Sequence, residues 1–359
     1  MRVCIAGGGI AGTLLAWRLA ARREVEHVEL LLGDAGRADA TELSGGVVRA
    51  YERHPAGRRL AIDSLAELLS SPLLRAWSGY RETGTLYLRA ADAELPAELA
   101  EIDAELPGSA QLAGGDELAA RGWAGLPAGT VGVIERCAGY VSPSRLRRAL
   151  LHDLQARANV RVVRAAAGAV TVLADGSVTA SADGRARACD VAVLAAGAWT
   201  PSVLAASGLP AAGLRTKSIQ CATYRVRGRR PLPFADETSG LYGKPLAGGG
   251  LLLGLATDEW DVAPGERPPT LELHAAAERL AAERMPWLRI GRALTRVNAT
   301  DCYCDPPVLA LRPVAGEHGA IWTFTGGSGG SVKTALAASH EAAAQLLGAR
   351  LFQTSTHGE

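Results

Sequence analysis

Three glycines near the start of the chain stand in a spacing that can hold a phosphate: Gly7-x-Gly9-x-x-Gly12. In a strand-to-helix turn the first glycine makes the turn tight. The second lets backbone approach a pyrophosphate, and the third lets the helix pack closely on the strand. The N–H groups of Ile10 and Ala11 then open a helix whose positive end faces the phosphates. The pattern alone is weak, since 42 Gly in 359 residues give about one chance match. Its placement, directly after the apolar run Val3-Cys4-Ile5-Ala6 and before Leu14, Leu15 and Leu19, carries the argument. The partner expected next is an acid closing the second strand, for the ribose hydroxyls. Asp34 follows Leu32-Gly33, one residue later than the simplest register, so it reads as a ribose ligand or as a solvated turn aspartate.

Other chemistries find less support. The six cysteines, Cys4, Cys137, Cys189, Cys221, Cys302 and Cys304, include one close pair and no second pair at metal-ligand spacing, so neither a structural metal nor a disulfide framework is expected. That usage fits a reducing cytoplasm. Lys plus Arg total 38 against 37 Asp plus Glu, a formal net charge of +1, which disfavours nucleic acid as a partner. No apolar stretch is long enough to cross a membrane, and no signal peptide is expected.

The elements that must position the loop follow from periodicity. Residues 2–6, 10–21 and 28–32 read as strand, helix and strand, one βαβ unit. Residues 143–156 carry a helical pattern (Leu146, Leu150, Leu154), 160–163 and 191–195 read as strands, and Ala320–Phe324 precedes a glycine loop and an alanine-rich helix over 332–347. Between these pieces lie alternating segments such as Gly84–Leu88 and Ile219–Tyr224, typical of antiparallel sheet. At 359 residues, with 48% hydrophobic content, about two domains are expected. The fold class is thus α/β. A Rossmann-like dinucleotide-binding domain is assembled from 1–80, 139–214 and 301–359, and an antiparallel-sheet α+β substrate domain is inserted as 81–138 and 215–300.

Several segments, taken in order, resemble one family. They are Gly7 to Gly12, Ser44-Gly45-Gly46-Val47-Val48-Arg49, Gly139-Tyr140-Val141-Ser142-Pro143, Asp190 through Gly197-Ala198-Trp199-Thr200, and Gly326-Gly327-Ser328-Gly329-Gly330-Ser331-Val332-Lys333. Together they resemble the D-amino-acid oxidase superfamily, in particular its monomeric sarcosine oxidase and glycine oxidase branch. The resemblance implies FAD, held without a covalent bond. It places Gly7, Gly9, Ile10, Ala11, Gly12, Asp34, Ser44, Gly46, Gly197, Trp199, Gly327, Gly329, Gly330, Ser331, Val332 and Lys333 at the cofactor. No second glycine fingerprint is present for a nicotinamide nucleotide, which agrees.

The implied activity is oxidation of an amino acid or N-substituted glycine. A hydride passes from the C–N carbon to flavin N5, leaving an imine, and reoxidation yields hydrogen peroxide. Such a site needs fixed cations for the substrate carboxylate. The resemblance puts Arg49 and Lys333 there, and Tyr242 on a strand lining the cavity. Lys333 also stands in a helix first turn, where the dipole disfavours a cation and a purely solvated lysine is less expected. Arg296 is a further candidate; Trp199, Trp287 and Trp322 read as packing or flavin-adjacent residues. Two departures stand out. Leu252 occupies the place of the oxygen-activating lysine, and Ala256 that of a histidine, so a more apolar cavity is expected, with Lys244 as a conceivable substitute. Asp301 stands where covalently flavinylated members have cysteine, with Cys302 one position away. Two alternatives follow: a dehydrogenase using another electron acceptor, and an electron-transfer subunit without a substrate. The expected partner is a small amine with a carboxylate, bound by a monomer or small homo-oligomer.

Overall fold

The computed structural model describes residues 1–33, 39–211, 213–265, 267–315 and 320–356, and side chains as far as residue 349. Its first layer is a six-stranded sheet in the order Ala310–Ala315, Ile321–Thr325, Val191–Leu194, Arg2–Ala6, His27–Leu31, Val160–Val163. All neighbours are parallel except the edge pair Ala310–Ala315 with Ile321–Thr325. The central strands are apolar throughout (Val191–Leu194 is VAVL), as strands covered on both faces must be. One face packs under the helices Ile10–Ala20, Pro143–Gln155 and Ser331–Thr356 through Leu14, Leu15, Leu19, Leu150 and Leu346. The other lies against a three-stranded antiparallel sheet, Ala167–Val172, Val178–Ala182 and Arg185–Cys189. The sequence-expected strands and helices along this layer all form, with ends shifted by a residue or two, except that the last helix runs on from Ser331 to Thr356.

Two glycines are needed for this layer to close. Gly7 has φ of +130°, and a Cβ there would lie 2.3 Å from Ala195 O; a Cβ on Gly12 would lie 2.0 Å from Gly7 O. Strand and helix therefore meet backbone to backbone.

The second layer is an eight-stranded sheet: Arg289–Tyr303, Arg215–Arg227, Gly250–Leu255, Leu241–Pro245, Phe234–Asp236, Thr85–Ala90, Thr130–Glu135, Ala110–Ala113. It is antiparallel at every junction but one, since Phe234–Asp236 runs parallel to Thr85–Ala90. The junction joins strands about 150 positions apart in the chain, which alternation within each segment does not reveal. Along Leu241–Pro245 and Gly250–Leu255, residues Leu241, Leu251 and Leu253 pack with Phe234, Ala277, Ala281 and Met285 under the helix Leu271–Arg284. The alternate residues, Tyr242, Lys244 and Leu252, turn to the other face. That face and the carboxyl ends of the parallel strands enclose one space. A small sheet, Val47–Val48, Gly139–Tyr140 and Arg81–Glu82, stitches its side.

Candidate active site

Between the two sheets lies a cavity of about 690 Å³. Gly7 to Ala11, Ser44 to Gly46, Ala195 to Trp199 and Ser328 to Lys333 line one part, and Tyr87, Tyr242, Lys244, Leu252, Ala256 and Asp301 another. Four of the five sequence segments, far apart in the chain, thus meet at one space, and Gly139 to Pro143 does not line it. Asp34 lies outside the described residues.

The glycine loop is shaped for a ligand as well as for packing. Gly9 has φ −68° and ψ 178°, a backbone that any residue adopts. A Cβ there would meet only Thr41 Oγ1, at 3.3 Å. Its hydrogen atom leaves room on the cavity side rather than relieving strain. Thr41 was not foreseen from sequence: its buried hydroxyl accepts from the Ile10 N–H at 3.0 Å and ties the short helix Ala40–Leu43 to the helix start. At the far end, Gly326 (φ +87°) and Ser328 (φ +60°) turn the chain from the last strand into the long helix. Ser331 Oγ donates to Ser328 O at 2.8 Å, and Gly330 N–H to Ser328 Oγ at 3.3 Å. This tight turn opens a helix beside the cavity, so its free N–H groups favour negative charge there.

Lys333, in the first turn of that helix, and Arg49, from the other end of the chain, meet on one atom. Arg49 Nη2 donates to Glu52 Oε1 at 2.6 Å, and Lys333 Nζ lies 2.7 Å from the same oxygen. Burial pushes the Glu52 carboxyl up, but the Lys333 ammonium and the Arg49 guanidinium outweigh it and hold the group below the usual carboxylate range. Burial draws Lys333 down, against the opposing pull of Glu52. Arg49 also donates through Nε to Tyr51 O at 2.9 Å, and its guanidinium carbon stands 4.6 Å from the Tyr87 ring centroid. With Nε and Nη2 engaged, Nη1 is the part of the fork left without a hydrogen bond among the described residues. Below this segment the buried Glu135 carboxylate accepts from Ala50 N–H at 2.7 Å and Tyr51 N–H at 3.2 Å. Glu52, Glu135 and Tyr87 escaped the sequence reading. The only trace of Glu52 was an acid three residues after the expected arginine.

Tyr242 lines the cavity and is packed at once. Its ring fills the space over Gly254, where a Cβ would lie 2.1 Å from the ring, and its hydroxyl donates to Gln220 O at 2.9 Å. Burial pushes the phenol well above its ordinary value, so it stays neutral. Asp301 faces the same cavity, its carboxylate 3.3 Å from where a Gly329 Cβ would stand. Among the described residues it has no ion-pair partner, and burial pushes it up to about 6. The adjacent Cys302 also borders the cavity and packs in the apolar cluster of Leu214, Ala320 and Ile321, where burial pushes its thiol up to about 11. Arg296 is exposed and outside the cavity, because strand alternation presents Val297 inward instead. Trp322 is core, and Trp287 donates to Gly122 O at 2.9 Å away from the cavity; Trp199 alone of the three lines it. Lys244 is the direct cross-strand neighbour of Leu252 and lines the same wall of the cavity.

The family model for FAD-dependent oxidoreductases of the DAO type matches residues 2–345. The chain belongs to this family. It is an FAD-dependent oxidoreductase. No functionally curated protein matches its sequence. Among solved structures, it is similar in fold to glycine oxidase from Geobacillus kaustophilus, with TM-score 0.76 and 19% identity over 96% of this chain and 94% of that one. L-proline dehydrogenase from P. horikoshii has TM-score 0.78 and 18% identity over 96% and 92%. Iminodiacetate oxidase from Chelativorans sp. BNC1 has TM-score 0.73 and 17% identity over 97% and 95%. The residues present fit FAD. The space that Gly9 keeps open suits a pyrophosphate, and the Ser328 to Lys333 turn offers N–H groups to the same cavity.

Among the described residues no helix is long and apolar enough to cross a membrane, and no cluster of His, Cys, Asp and Glu could hold a metal ion.

Proposed function

We propose that this DAO-family enzyme oxidises an amino acid or an N-substituted glycine to the imine. The observation that carries the reading is the meeting of Arg49 and Lys333 on Glu52. Two cations from opposite ends of the chain already share one carboxylate oxygen at the cavity wall, so their spacing suits a carboxylate. FAD supplies the two-electron acceptor for the C–H bond next to nitrogen. The protein's task is positioning. Arg49 Nη1 and Lys333 hold the substrate carboxylate, and Tyr242 and Leu252 confine the chain that bears the amine. The two sheets keep bulk water out. A net charge of one positive unit on the Arg49–Lys333–Glu52 cluster is neutralised when a monocarboxylate arrives. The cofactor is taken to be non-covalent, since Cys302 is buried as a high-pKa thiol and the covalent-site position is Asp301.

The test is anaerobic mixing of the FAD-loaded protein with a panel of N-alkyl glycines and amino acids. Loss of the oxidised flavin band with at least one of them is the expected result, and no bleaching with any would overturn the reading. Leu252 at the family's lysine position favours a second version, a dehydrogenase passing electrons to another acceptor. Fast reoxidation by a quinone or dye but slow reoxidation in air would select it.

A further inference from the structure

One cation in the cavity has no role in the reading above. Lys244 alternates with the core-facing Leu241 and Gly243, shares the cavity face with Tyr242, and is 8% exposed. Its ammonium lies 4.5 Å from the Tyr140 ring centroid. Among the described residues no carboxylate pairs with it. The contrast with Lys333 is direct: that lysine, equally deep, has Glu52 at 2.7 Å. Lys217, the remaining cavity lysine, is less buried, rests 4.6 Å from the Trp260 ring centroid, and stands opposite Asp301 in the strand pairing. Among the described residues Lys244 is therefore the buried cavity cation without a counter-charge.

An ammonium taken out of water without an anion is costly, and a π face returns only part of the loss. Had this wall served only apolar substrate groups, a second leucine beside Leu252 would have packed there at lower cost. The position of the cation is also informative. Tyr140 pairs with Val47, two residues before Arg49, which on an extended chain is about 7 Å. Lys244, Arg49 and Lys333 all line the one cavity, so a single ligand filling it can meet all three. We propose that Lys244 binds a second carboxylate of the substrate, so that the enzyme acts on aminodicarboxylates. This rests on the amino-acid reading above: one carboxylate lies at Arg49 and Lys333, the other at Lys244, and the amine-bearing carbon between them.

The experiment is titration of the FAD-loaded protein with matched unreactive acids, followed by the shift of the flavin absorption band: propionate against malonate, butyrate against succinate, valerate against glutarate. In the wild type at least one diacid binds roughly 10- to 100-fold tighter than its monoacid partner, the worth of one added charge-assisted hydrogen bond. In Lys244→Met that preference collapses while monoacid binding stays within about twofold, and Lys244→Arg retains most of it. No diacid preference in the wild type overturns the proposal, as does a Lys244→Met protein that loses both classes equally. If monoacids bind and diacids bind no better, the amino-acid reading survives and only this proposal falls. If neither class binds, both fall.

Discussion

The two sheets bound one cavity but bring different material to it. The parallel sheet offers backbone: the glycine loop at Gly7 to Gly12 and the turn into the helix at Ser331 present N–H groups and empty space, and few side chains reach in. The antiparallel sheet offers side chains, Tyr242, Lys244, Leu252 and Asp301 projecting from alternate positions. Arg49 and Lys333 stand at the seam. A cofactor common to a whole family is met by main chain, which tolerates little change. A substrate is met by side chains that can be exchanged one at a time without disturbing a ladder of hydrogen bonds.

That division is broken most completely at Gly9. A Gly9→Val protein should fold, because a Cβ there meets only Thr41 Oγ1 at 3.3 Å, yet it should purify colourless and take up no added FAD. A yellow, fully loaded variant would show that the parallel half does not bind its ligand through that loop. The seam comes next. Arg49→Ala should keep FAD and lose about 2–5 kcal/mol of carboxylate binding, raising KM on the order of 30-fold or more. Unchanged steady-state kinetics would remove Arg49 from the site and leave the antiparallel half without its anchor.

The smallest effect concerns Asp301, on the side-chain-bearing sheet. Its folded-state value of about 6 lies above the ordinary 3.8, so the folded FAD-free protein holds a proton that the unfolded chain releases between those values. Stability falls across that window as pH rises, and the penalty is complete above it. Asp301→Asn should therefore stabilise FAD-free protein by at most about 3 kcal/mol at pH 7, with the gain fading to nothing near pH 3.5. Thermal melts across the range check this. A gain independent of pH would mean that the carboxylate is not strained by burial.

How far each half could be read from sequence follows the same division. The first βαβ unit, the strands at 160–163 and 191–195 and the final strand, loop and helix were all visible, because their signals are local: a run of apolar residues, a period of 3.6, a glycine triplet. Ser44, Gly46, Gly197 and the Gly326 to Lys333 loop were found through family resemblance, and the fold brings Ser44, Gly46, Gly197 and Ser328 to Lys333 to the cavity that Gly9 lines. Glu52 was missed, since an acid three residues after an arginine on an arginine-rich stretch has no distinctive pattern. Cys302 and Asp301 could not be assigned inside or outside without knowing the phase of the strand, and a shift of one residue exchanges their roles.

What the chain determined by itself is a set of short-range facts: the turn that only glycine permits at Gly7, the apolar strands that must be covered on both faces, and the helix starts. Which carboxylate neutralises which cation was decided only by tertiary structure. Glu52, Arg49 and Lys333 meet across 284 positions of sequence separation between the last two, whereas among the described residues Lys244 meets an aromatic ring and no acid. The physical reason is that ion pairing depends on distance and on exclusion of water. Both arise when the sheets close over the cavity, and neither is encoded in the order of residues along a strand.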